Sequence, residues 1–212
     1  MDRRDPALFF AVALLAACRR EPPPPVPAPV PAPAPAVAAP LAQDARALDA
    51  VRAAAGRLGQ TLRQRLTAAM SQGGPAAAAR VCSTEAQSIA ATIARESGVR
   101  VGRSSLRLRN PANDGPAWVT DWLRAQGERP AAGVTGIERV EGSVAHVLRP
   151  IPVEGVCVTC HGPADQIPAE VREVLSAAYP RDRATGYQPG DLRGALWAEV
   201  ALGPGRVVEP QP

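Results

Sequence analysis

Cysteine and histidine are scarce in this chain, four and two among 212 residues, and three of those six stand together in Cys157-Val158-Thr159-Cys160-His161. No other feature constrains the fold as strongly. C-x-x-C-H is the spacing at which two thiols add to the two vinyl groups of one porphyrin. The next residue, a histidine, is then held under the iron as an axial ligand. A chain that carries haem in this way must shape its interior around a large flat ring. Two other chemistries use paired cysteines. A thioredoxin-like redox pair sits between a strand and a helix in a βαβ layout. Structural zinc needs a second cluster of Cys or His, and the sequence has none. The expected cofactor is therefore one haem c, covalently attached at Cys157 and Cys160, with His161 on the iron.

The N-terminus points to export. Positive charge in Met1 to Arg4 precedes an apolar run from Leu8 to Ala17, of signal-peptide length and too short to span a membrane as a mature helix. The run ends at Leu15-Ala16-Ala17-Cys18, which looks like a bacterial lipobox. Residues 1–17 then form a lipoprotein signal peptide, and Cys18 becomes a lipidated first residue. An ordinary secretory signal with an incidental cysteine gives the same compartment. Haem is attached to c-type proteins outside the cytoplasm, so export and C-x-x-C-H support each other. Arg19 follows the cysteine in place of the aspartate associated with inner-membrane retention, which favours the outer membrane. Residues 18–40 form the lipidated cysteine and a Pro-rich linker, with Pro22-Pro23-Pro24-Pro25 opening a Pro/Ala/Val tract that reaches Pro40. Proline favours extended polyproline II. At ~3.1 Å per residue the tract spans up to roughly 60 Å.

About 165 residues follow, enough for one domain with its own core. We assign 41–202 to a haem domain and 203–212 to a C-terminal tail. The formal charge is +4, and every basic side chain besides histidine is arginine. These arginines are dispersed among acids, without a basic block or aromatic ladder, which argues against nucleic acid as a partner.

Periodicity outlines the domain. Leu41, Leu48, Val51, Leu58, Leu62 and Leu66 share one face of a helix over 41–70. Ser71-Gln72-Gly73-Gly74 breaks it, Pro75 opens a second helix, and Gly98 stops that one. Within it Cys82, Ala86, Ile89 and Ile93 form an apolar stripe. Residues 99–110 read as extended and 116–126 as a short helix with Trp118, Trp122 and Leu123 inward. Strands are expected at 137–140 and 144–151 around Gly142, a helix near 168–178, a turn-rich segment at 179–193, and a last strand at 195–201. Helices followed by strands indicate α+β with an antiparallel sheet.

A haem iron has a second axial position. Cys82, Met70, His146, water or nothing could occupy it. With Cys18 on lipid and two cysteines on porphyrin, Cys82 remains as a single thiol in an oxidising compartment. It lies on the inward face of its helix, where a buried cysteine also serves as a small hydrophobe. Arg109 or Arg149 could pair with a haem propionate through a bidentate contact, or make ordinary turn and surface salt bridges. Asn110 and Asn113 suit a turn.

From about Gly74 to Val200 the chain resembles a family of single-haem c-type domains with a PAS-like fold. Its members are stand-alone exported proteins and sensor portions of signalling proteins. The resemblance rests on Val81-Cys82, Leu108-Arg109-Asn110-Pro111-Ala112-Asn113, Leu148-Arg149-Pro150-Ile151 and Cys157-Val158-Thr159-Cys160-His161-Gly162. Tyr179-Pro180-Arg181-Asp182-Arg183-Ala184-Thr185-Gly186-Tyr187 and Gly190-Asp191-Leu192-Arg193-Gly194-Ala195 complete it. It departs at Gly115-Pro116-Ala117-Trp118, where the family often carries acidic residues. The resemblance implies a PAS-like antiparallel sheet with N-terminal helices packed around the haem, and Cys82 as the ligand opposite His161.

Three roles then compete. Covalent haem, a long tether and two protein ligands suit low-potential electron transfer to a redox partner protein. A helix-borne ligand that can dissociate suits a redox or gas sensor that signals through a separate partner. An enzyme needs an open iron site with acid–base residues, and His146 is the only histidine candidate.

Overall fold

The structure, a computed structural model, describes residues 38–127 and 129–203. The signal segment, Cys18, the Pro-rich linker up to residue 37 and the tail from residue 204 lie outside the described residues. Helix α1 (Ala38–Thr84) starts three residues before the expected boundary and is interrupted at Gly73 and Gly74. Gly74 has φ +71°, a conformation that side chains with a Cβ disfavour. The next residue, Pro75, restarts the helix without needing a backbone donor. The Ser-Gln-Gly-Gly break expected from sequence therefore divides α1 into two helical segments. The second carries Cys82. Helix α2 (Ala86–Ser97) follows and stops at Gly98.

Strands β1 (Arg100–Ser104), β2 (Ile137–Glu141), β3 (Val144–Pro152) and β4 (Leu192–Ala201) form one antiparallel sheet in the order β1-β4-β3-β2. The α+β class with an antiparallel sheet is thus present. The extended reading of 99–110 shortens to a five-residue strand, after which the chain turns. Asn110 makes that turn, its side-chain oxygen accepting from the Ala112 N–H at 2.9 Å.

Side chains alternate between the two faces of the sheet. Val101, Ala145, Val147 and Ala198 pack on one face against Val51, Ala54, Ala55 and Leu58 of α1 and Ile93 of α2. Leu148, Ala195 and Trp197 pack on the other against Val119 and Leu123 of helix α3 (Ala117–Gln126). Leu41 departs from the expected stripe and is 66% exposed. The apolar layer packed on the sheet begins only at Ala47, so Leu41 lies ahead of it. Among the described residues no helix is long and apolar enough to cross a membrane.

Two short helices complete the domain: α4 (Val158–His161) and α5 (Ala169–Ala178). Helix α5 packs Val171 and Leu175 against Ala79 of α1, with Ile167 and Tyr179 in the same cluster.

Candidate functional site

One end of the sheet is left open between strand ends. Ser104 ends β1, Ile151 and Pro152 end β3, and Arg193 and Gly194 begin β4; all line one cavity. β1 and β4 meet so closely here that a Cβ on Gly194 would lie 2.2 Å from the Ser104 carbonyl oxygen. Leu66, Met70, Ala78, Ala79 and Cys82 of α1 form another wall. Cys157, Cys160 and His161 come in from α4 and the 3-10 turn before it. The space is about 260 Å³, just below the ~300–1,000 Å³ typical of cofactor sites, and it is partly open to solvent.

The C-x-x-C-H loop is pinned along its backbone. The Gly186 N–H donates to the Gly162 carbonyl at 2.7 Å and the Tyr187 N–H to the His161 carbonyl at 2.9 Å. Arg109 crosses between the two loops, only 7% exposed. Its Nε donates to Asp182 Oδ2 at 2.9 Å, and its Nη2 donates to the carbonyls of Cys160 at 2.5 Å and Ala184 at 3.2 Å.

The His161 ring is held in one orientation. Its Nδ1 lies 2.7 Å from the Ala184 carbonyl oxygen. Only a protonated Nδ1 can donate to a carbonyl, so Nε2 keeps its lone pair. Burial pushes the His161 pKa well below the ordinary value, and the cations Arg193 and Arg109 push it the same way, which outweighs the carbonyl bond. The imidazole is therefore neutral at neutral pH, the form that binds a metal. The Tyr187 ring braces it edge-on at 6.3 Å.

Three thiols stand beside His161. Cys82, Cys157 and Cys160 are free and half-buried. Burial raises the Cys160 pKa, with Arg109 opposing and Cys82 adding to the rise. Cys82 is fixed through its backbone, its carbonyl accepting from the Tyr179 hydroxyl at 2.8 Å.

The structure thus gathers Cys82, Cys157, Cys160, His161 and Arg109 around one cavity. Met70, an alternative ligand by sequence, lines it too. His146 does not. It lies on the α3 face of the sheet, 4.7 Å from the Trp118 ring centroid, with Nδ1 3.7 Å from Glu199 Oε2. Arg149 is exposed and outside the cavity. Cys18 lies outside the described residues. Sequence reasoning missed Arg103, Arg193 and Tyr179, which line the cavity, and Tyr187, whose ring packs against His161. Three of the four stand in motifs quoted above, but nothing in the local pattern marks them as facing a cofactor.

Apolar walls, two thiols and a neutral imidazole on one loop fit a covalent haem. No curated protein of similar sequence is found. Among solved structures, the chain is similar to the crystal structure of the cyanobacterial haem-protein Tll0287, at 26% identity and a TM-score of 0.53. That match covers 68% of this chain and 90% of the other. Residues 36–200 match the model of the Tll0287-like family. The chain belongs to that family of haem proteins.

Proposed function

We propose that this chain is an exported, lipid-anchored protein that carries one haem c and transfers electrons at low potential. Cys157 and Cys160 would form the thioethers, His161 would bind the iron through Nε2, and Cys82 would be the second ligand. One observation carries the reading: a single cavity lined by both cysteines and the histidine of C-x-x-C-H and also by Cys82. A bound haem supplies a one-electron Fe(III)/Fe(II) couple. A thiolate ligand favours the ferric state and lowers the potential relative to His/Met ligation. The cavity is partly open and is lined in part by the 57%-exposed Val156, which would leave part of the cofactor accessible to a redox partner. The antiparallel sheet with α1 and α2 on one face supports the PAS-like comparison. The lipobox at Cys18 and the Pro-rich tract support a tethered position facing the periplasm, with the outer membrane favoured.

A second reading is a redox or gas sensor that works through a separate partner. It draws on the Gly73–Gly74 break, which gives the segment bearing Cys82 a natural hinge. A redox titration with carbon monoxide challenge separates the two. Electron transfer requires six-coordinate low-spin spectra in both oxidation states and no response to carbon monoxide. A ferrous form that loses Cys82 and takes up carbon monoxide would favour sensing. An unchanged spectrum and potential in Cys82→Ala would remove Cys82 as a ligand.

A further inference from the structure

The cavity is strongly cationic. Arg103 on β1, Arg109 after it and Arg193 on β4 all line it, and no Asp or Glu does. Arg109 is neutralised by Asp182. The other two have no such partner. Arg193 donates to the Arg107 carbonyl at 3.3 Å and lies over the Tyr187 ring at 5.2 Å, with no carboxylate among these contacts. The Arg103 side chain makes no hydrogen bond or ion pair among the described residues, its backbone being paired in the sheet opposite Leu196. Asp114 borders a neighbouring cleft that Arg103 also lines, without pairing to it. Three guanidiniums against one carboxylate leave an excess of two positive charges. Uncompensated cations in a partly buried site are costly, and they repel one another here. Burial pushes the Arg193 pKa down, Tyr187 opposes this, and Arg109 and Arg103 add to the depression.

We propose that Arg103 and Arg193 bind the two haem propionates and supply their counter-charges. The proposal rests on the haem reading above. Two carboxylates balance the excess of two, and guanidinium is well matched to carboxylate geometry. It replaces the sequence expectation for Arg149, which is exposed and outside the cavity. It also leaves Arg109 to its work between Asp182, Cys160 and Ala184.

The test uses full-length protein matured with a cytochrome c assembly system. Resonance Raman in H₂O and D₂O reads the propionate bending bands, and a titration reads the potential. In the wild type those bands shift on deuteration because guanidinium N–H groups donate to them. Arg103→Gln and Arg193→Gln each lose part of that shift and lower the potential, because a nearby cation stabilises Fe(II). Arg193→Lys recovers the potential more than the band position. Wild-type bands insensitive to deuteration overturn the proposal without any variant. So do Gln variants with wild-type bands and potential. Haem staining of denaturing gels separates the two levels. Stained protein with unaltered bands rejects this proposal alone, whereas wild type without covalent haem rejects the cofactor reading and this proposal together.

Discussion

Arg109 offers a quantitative test of how the site is held. Arg109→Met keeps the apolar stem and removes the guanidinium. It strands the Asp182 carboxylate, 14% exposed, and leaves the Cys160 and Ala184 carbonyls without that donor. Breaking a buried ion pair from one side costs ~3–5 kcal/mol. Asp182 Oδ1 keeps a bond from the Ala184 N–H at 2.7 Å, which favours the lower end, ~3 kcal/mol. With a urea m-value of ~2 kcal/mol/M for a domain of this size, the midpoint falls by ~1.5 M. The assay is urea unfolding of haem-loaded protein followed by far-UV circular dichroism. Adding Asp182→Asn removes the stranded charge and recovers ~1–2 kcal/mol relative to Arg109→Met. A midpoint loss below ~0.3 M, or a double variant as unstable as the two single losses added, would refute this account of Arg109.

Further predictions follow from other contacts. His146 has its pKa lowered mainly by burial, against the pull of Glu199 and Glu141. The unfolded chain therefore binds more protons between the depressed folded value and ~6.5, so stability is complete above ~6.5 and declines as pH falls through that window. Urea midpoints from pH 7.5 to 5.5 should show this decline, and His146→Gln should flatten it; equal slopes would count against the assignment. Gly194→Ala places a Cβ against the Ser104 carbonyl and should cost ~1–3 kcal/mol, read as a melting temperature lower by several degrees. Tyr179→Phe removes the bond to the Cys82 carbonyl and should cost ~1 kcal/mol, read in the same melting experiment.

What the sequence revealed was mostly local. C-x-x-C-H is a contiguous pentapeptide, and its structure needs only a 3-10 turn and one helical turn. The Gly73–Gly74 break, the Asn110 turn and the hairpin at Gly142 likewise follow from the conformational preferences of a few adjacent residues. Leu41 matched the apolar period of α1, but periodicity cannot say where the opposing layer ends. The arginines were the least legible. Arg103 and Arg193 reach one cavity only because β1 pairs with β4, with Arg103 opposite Leu196. Arg149, nearer in sequence to C-x-x-C-H, faces solvent. His146 and Leu148 shared a strand face as expected, but that this face points away from the cavity follows from which helices cover each side of the sheet.

The central claim is that Cys157, Cys160 and His161 hold one covalent haem. Intact mass and the pyridine haemochrome spectrum of protein matured with a cytochrome c assembly system test it together. The account predicts a mass increase of one haem per chain that survives acid–acetone extraction, with the spectrum of two saturated vinyl groups. It also predicts loss of that haem in Cys157→Ala/Cys160→Ala. Mature protein without bound haem, or haem that acid–acetone removes from the wild type, would contradict it.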